Sequence, residues 1–313
     1  MNLKYYPYFR GRQFELLALR ELVSNGRLSR SVVPIVEPVK LSSTLLTTFR
    51  AFAQTEQEIG LVRNPEYGDV VGEMKKLPEN ERIKFSAVFQ SNNVLQVILQ
   101  NKGLAGAVNL FKKRIQKDPG RWGALYSSAD FLDLSLAQGV GYGVNLIPDA
   151  TKFRRRISGP KVLFHDCFNK RDRNADYQDN DNELFSDDHT YAEEENYVGT
   201  GDYSIIGNEY SESGFAPYAV AIHVVYESPD GSGVLRVAHF ISDSNDGYDD
   251  PAGKFMEAAG KLARWAKTKR IAKTHGLDQL LESYETAGYP GLGSLKKFTI
   301  MHHLELMGRI LER

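Results

Sequence analysis

Two carboxylates stand at the ends of apolar runs. Glu37 closes "VVPIVEPV" (32–39), and Asp166 follows "KVLF" in "KVLFHDCF" (161–168). Carboxylates facing one cavity can hold Mg2+ or Mn2+ through oxygen, or divide the work of acid and base. Glu37 and Asp166 are therefore the candidate catalytic pair and the candidate metal ligands. Cations and amides recur at comparable places: Arg10 and Arg12 in "YFRGR", Arg63 with Asn64, and Asn169, Lys170, Arg171 and Arg173 in "FNKRDRN". A guanidinium fork matches phosphate or carboxylate oxygens. A metal with these cations would suit a phosphorylated substrate, a nucleotide or a phosphodiester. The competing reading is an ion-pair network, because a half-buried arginine needs a carboxylate partner.

Other residues carry weaker chemistry. His165 is a candidate general base, but it and Asp166 point to opposite faces of a strand, so only one of them enters a shared cavity. Cys167 is the one cysteine, which excludes an internal disulfide and makes a reducing cytoplasm the expected compartment. It fits a small strand residue better than a catalytic thiol. In "YAVAIHVVYESPDGSGVLRVAHFIS" (218–242) a turn at Pro229-Asp230-Gly231 sets His223 opposite His239. Two histidines alone make an incomplete metal site. The basic strip 260–276 fits a solvated helix face as well as a nucleic-acid contact. No Walker loop, HExxH, paired CxxC or G-x-S-x-G occurs.

Positioning such residues takes a regular frame, and the chain supplies one. Of its 313 residues 42% are apolar and 25% charged, with a net charge of −1, so the overall balance points to neither nucleic acid nor a membrane surface. No apolar run approaches the roughly 18 residues that span a bilayer. Short apolar runs at 4–9, 32–39, 58–65, 84–90, 122–127, 142–149, 161–168 and 201–207 alternate with helical segments at 12–26, 42–54, 68–77, 104–118 and 128–139. Near-continuous apolar runs suit strands covered on both faces. The pattern predicts an α/β fold: a single (β/α)8 TIM-type barrel over 1–313, with an appended β-hairpin (218–242) and closing and C-terminal helices (252–311). An open doubly wound sheet is the alternative, weakened by the lack of a glycine-rich first turn. The segment 91–103 fits helix or strand equally. Residues 172–195 hold ten acids in 24 positions, so 172–196 is expected to be an exposed, acidic excursion. In a barrel the C-terminal strand ends form one mouth, which would gather the residues named above. Asp202, at the start of its run, would lie at the other end.

Several segments together carry a family resemblance: "YYPYFRGRQFELLALREL", "VVPIVEPVK", "FNKRDRNADY", "DYSIIGNEYSESGFAPYAVAIH" and "HFISDSND…DPAGKF". Over nearly its whole length the chain resembles the bacterial "beta family protein" group, in particular the subgroup named after a Sorangium locus tag. The resemblance implies a barrel-type α/β protein from mobile or accessory gene neighbourhoods. A frequent neighbour there resembles a restriction-type nuclease. It therefore implies a component of anti-phage or anti-plasmid defence, with that nuclease or another defence protein as partner. The family brings no established catalytic residues; it points to Arg10, Arg12, Glu37, Asn169, Arg171, Arg173, Asn174 and Asp176. The functional expectation is a charged mouth that binds a phosphorylated or nucleotide-like ligand, a nucleic acid or the partner nuclease. The alternative is a metal-dependent hydrolase or phosphodiesterase using Glu37 and Asp166.

Overall fold

The near-continuous apolar runs become buried parallel strands, as their lack of alternation requires. The structure, a computed structural model, describes residues 3–179, 182–210, 217–269 and 271–313. The chain divides into two compact units, Met1–His165 with Tyr191–Asp202 and Leu311–Arg313, and Asp166–Thr190 with Tyr203–Ile310.

The first unit holds β1 (Lys4–Tyr5), β2 (Tyr8–Phe9), β3 (Ile35–Val36), β4 (Ile59–Val62), β5 (Val94–Leu99), β6 (Trp122–Leu125), β7 (Val144–Ile147) and β8 (Lys161–Phe164). After β9 (Asn182–Ser186), which belongs to the second unit, β10 (Gly199–Gly201) completes its sheet. All pairings are parallel, in the order β1-β10-β8-β7-β6-β5-β4-β3-β2. Helices flank this curled sheet: α1 (Gln13–Ser24), α2 (Ser43–Gln54), α3 (Val70–Lys76), α4 (Glu79–Phe89), α5 (Leu104–Lys117), α6 (Leu132–Ala137) and α7 (Thr151–Arg156). The Ser42 hydroxyl caps α2 by accepting from the Leu45 amide at 3.1 Å.

Nine strands stand where eight were expected, and Pro7 is the reason. The two ends of the strand order are halves of one stretch, residues 4–9. The Lys4, Tyr6 and Tyr8 amides donate to Val198, Thr200 and Asp202 on one side. On the other, Tyr5 donates to Ser31, while Val33, Ile35 and Glu37 donate to Tyr5, Pro7 and Phe9. Pro7 has no N–H, so the ladder is interrupted there and the stretch divides into β1 and β2. Gly199 and Gly201 allow the approach of β10: a Cβ on either would stand 2.3 Å from the Lys4 carbonyl oxygen or 2.6 Å from that of Tyr6.

The structure corrects one of these runs and decides another. The expected strand 84–90 is the end of α4, burying Phe85 and Phe89 four residues apart. The ambiguous segment 91–103 supplies β5, buried along its whole length.

In the second unit, β11 (Ala221–Glu227) and β12 (Leu235–Ile241) form the hairpin, with His223 opposite His239. β9 adds to its β12 edge, antiparallel. The short α8 is Asp188–Tyr191. α9 (Pro251–Thr268) packs on β11 and β12, followed by α10 (His275–Glu285) and α11 (Leu292–Leu311). Within this unit α11 also meets the hairpin, through His302 Nε2 and the Val225 carbonyl. The acidic stretch 172–196 is more than an exposed excursion. It buries Tyr177, Phe185 and Ala192 and supplies β9, because a few well-spaced apolar side chains anchor an otherwise charged segment. Asn180 and Asp181 of that stretch, and Arg270 among the helices, lie outside the described residues. Among the described residues, no helix is long and apolar enough to cross a membrane.

Candidate functional site

At the β3 end of the parallel sheet, Glu37 is fully buried. Its Oε2 accepts from the Tyr8 hydroxyl at 2.9 Å and pairs with the Arg10 guanidinium. Its Oε1 accepts from the backbone N–H of Glu66 at 2.6 Å and of Tyr67 at 3.4 Å. Gly11, at φ 66°, turns the chain between β2 and α1 with its Cα side against Val36 and Pro38. Arg10 lies over the rings of Tyr8 and Tyr67, at 5.2 and 4.9 Å. A buried carboxylate with four donors, one of them a stacked cation, is electrostatically complete. A divalent ion there would meet a guanidinium and two amide hydrogens, so these residues do not fit a metal.

Across residues 4–9 from β3, the end of β10 holds a residue that the sequence reading set at the wrong end. β10 spans 199–201 instead of 201–207, so Asp202 follows its strand instead of opening it. Asp202 is buried, and the Tyr5 hydroxyl donates to its Oδ1 at 2.6 Å. The alternate glycines in "GTG" were the available signal for a strand pressed against another backbone.

Asp166 belongs to the second unit. Its Oδ1 accepts from the Phe168 amide at 3.1 Å and its Oδ2 from the Asn208 amide at 2.7 Å, so it organises the loop after β8. That loop carries the cations expected around a ligand. Lys170 pairs with Glu209 at 3.4 Å, and Arg171 Nη2 with Glu183 Oε2 at 3.3 Å. Asn169 donates to the same Glu183 oxygen at 3.4 Å. Arg173 is exposed and pairs within its own turn, Nη2 to Asp176 Oδ1 at 2.6 Å. Arg12 caps α1, its amide donating to Glu15 at 3.2 Å. Asn64 ties β4 to β5 by accepting from the Leu99 amide and donating to its carbonyl, both at 2.9 Å. Arg63 lies apart from the Glu37 partners, over the Phe111 ring at 5.0 Å.

A cavity of about 420 Å3 opens in the second unit. Lys170, Arg171 and His223 line it, with Ile205, Ile222 and Leu295 supplying apolar wall. Behind it runs a continuous polar chain. Arg171 meets Glu183; Glu183 Oε1 lies 3.3 Å from His239 Nε2; His239 Nδ1 lies 2.7 Å from His223 Nδ1. Tyr177 packs on both imidazoles at 4.6 Å between ring centroids and accepts from the Arg171 amide at 2.9 Å.

The chain assigns the tautomers. A carboxylate only accepts, so His239 Nε2 carries hydrogen, and in the neutral ring its Nδ1 must accept. His223 Nδ1 is then the donor, leaving His223 Nε2 as an acceptor on a cavity-lining residue. Burial, and then the nearby His239, hold the His223 pKa below its ordinary value, which favours this neutral form. The Arg171 Nε is buried without a hydrogen-bond partner among the described residues. Two cations, an imidazole and an apolar wall thus line the cavity, and one of those cations carries an unsatisfied, buried N–H. The facing histidines were legible in the sequence, but their link through Glu183 was not, since β9 lies inside the acidic stretch. Compared with protein-family models, curated protein sequences and solved structures, the chain matches none.

Proposed function

We propose that the protein binds a small phosphorylated, nucleotide-like ligand in the cavity of the second unit. The observation that carries this reading is Arg171, whose buried Nε lacks a partner beside a cavity that also holds Lys170 and the His223 acceptor. Anionic oxygens would meet the two cations, and a ring N–H or amino group would donate to His223 Nε2. Hydrolysis through Glu37 and Asp166 has less support, because the oxygens of both carboxylates are taken up by protein donors. For the parallel sheet, main-chain hydrogen bonds on both sides of residues 4–9 support an eight-stranded (β/α)8 barrel with Pro7 inside its first strand. The biological setting that goes with this reading is bacterial defence, alone or with a partner nuclease.

Thermal unfolding against nucleotides and other phosphorylated compounds tests the binding reading. A ligand at about a hundredfold over its Kd stabilises the protein by about 2.7 kcal/mol. The shift is expected to vanish in Arg171→Ala and to shrink in His223→Phe. A full shift in both variants would refute the assignment. For the setting, cells carrying the gene should resist phage or plasmid, and Arg171→Ala should abolish that protection.

A further inference from the structure

A separate cavity of about 270 Å3 lies in the first unit. Arg63, after β4, Arg114 and Lys117, in the last turns of α5, and Arg121, before β6, all line it over Phe111 and Trp122. Asp118 is the one acid among its lining residues. Among the described residues, none of the four cations pairs with a carboxylate. Arg63 has only the Phe111 ring, 5.0 Å away. Arg121 spends its Nη groups on the carbonyls of Gln90 and Ser91, at 3.2 and 2.6 Å, and on Asn92. Its Nε is buried with no partner.

Basic side chains in the last turn of a helix complement its dipole, and that accounts for Arg114 and Lys117. It does not account for Arg63 or Arg121, which belong to strand ends and add two more charges of the same sign. Burial first, and then the charge of Arg114, lower the pKa of Arg63. Gathering like charges around a part-buried guanidinium costs stability unless an anion completes the set. The volume lies just below the about 300–1,000 Å3 of pockets for drug-sized ligands, which restricts the occupant to a compact anion.

We propose that Arg63, Arg114, Lys117 and Arg121 form a second anion site, which takes the phosphoryl group of a small molecule. The group arrives either as free diphosphate or as the diphosphate end of a nucleotide. The site shares no residue with the cavity of the second unit and stands independently of that reading.

Isothermal titration with inorganic diphosphate and, separately, ADP tests it on the full chain. Arg114 and Lys117 are exposed, so Arg114→Glu and Lys117→Glu are expected to keep the fold, with circular dichroism as the check. Each should weaken diphosphate binding at least tenfold. Lys113→Glu, exposed on the same helix but outside the cavity, should leave it within twofold. ADP binding with the same sensitivity would identify a nucleotide as the source; diphosphate binding alone would identify the free anion. Three results would overturn the proposal: no diphosphate binding to the unaltered protein, equal weakening by Lys113→Glu, or loss in Arg171→Ala with none in Arg114→Glu.

Discussion

Glu37 and Arg63 both follow apolar strand residues in the same parallel sheet, yet their surroundings are opposites. Around Glu37 every charge has met its complement: one carboxylate, one guanidinium, a tyrosine hydroxyl and two amides. Around Arg63 three more cations gather, with one acid that pairs with none of the four. The residue types were equally suggestive in both places. A set of charges that balances itself belongs to the fold, whereas a set left in surplus is available to something outside it.

The largest expected effect would break the balanced side of this contrast. Glu37→Ala leaves the Arg10 guanidinium and the Tyr8 hydroxyl without their acceptor and should cost about 3–5 kcal/mol, read from urea unfolding. A cost below about 1 kcal/mol would make Glu37 dispensable to the fold and return it to candidate chemistry.

Acid sharpens the contrast from a third direction, since the second unit buries groups kept neutral. Burial pushes His302 down to about 4 and His303 to about 3. His302 Nε2 donates to the Val225 carbonyl at 2.7 Å and its Nδ1 accepts from Thr274, so the neutral ring joins α11, α10 and β11. Unfolded, each imidazole titrates near 6.5. Between pH 6.5 and about 4 the unfolded chain binds protons that the folded chain refuses. The stability gained from neutral burial is therefore complete above pH 6.5 and is lost as pH falls through that window. The slope is at most about 1.4 kcal/mol per pH unit for each histidine. His303→Leu should flatten the fall in stability measured between pH 6.5 and 4.

Smaller effects belong to the unbalanced side. Arg63→Met, without added anion, should be neutral or stabilising by about 1 kcal/mol, because it removes a part-buried charge that has no carboxylate partner. Smallest of all, Arg114→Gln should shift stability by no more than about 0.5 kcal/mol, toward greater stability. Destabilisation above about 2 kcal/mol by either change would show that these cations also balance one another's surroundings.

Much of the frame was legible. Parallel strands showed as runs without alternation, and the hairpin register followed from Pro229-Asp230-Gly231, which alone sets His223 beside His239. Failures came where two signals competed over a few residues. In 84–99, aromatic and β-branched residues favoured a strand at Phe85–Phe89, but their four-residue spacing belonged to α4 and the next run to β5. At 199–207, the run 201–207 was read as the strand, whereas β10 is the glycine-bearing 199–201, which moved Asp202 to the wrong end of its strand. In the acidic stretch, composition outweighed Tyr177 and Phe185. The cationic cavity lay beyond local reading altogether, because Arg63 meets Arg114 and Arg121 only after the strand order is known.

Residues 4–9 carry one more implication, in time. The Tyr5 hydroxyl reaches Asp202, 197 positions along the chain, and the Tyr6 and Tyr8 amides donate to Thr200 and Asp202. Synthesis makes this stretch before residues 198–202, at about 5–20 residues per second. Its second partner therefore follows tens of seconds later, and until then one side of the stretch keeps open hydrogen-bonding groups. A nascent chain stalled before residue 199 presents that side to any strand nearby, including the same segment of another copy. Completion of this sheet is thus a late, long-range event, and the yield of folded protein should depend more on elongation and chaperone capture than on the stability of the finished molecule.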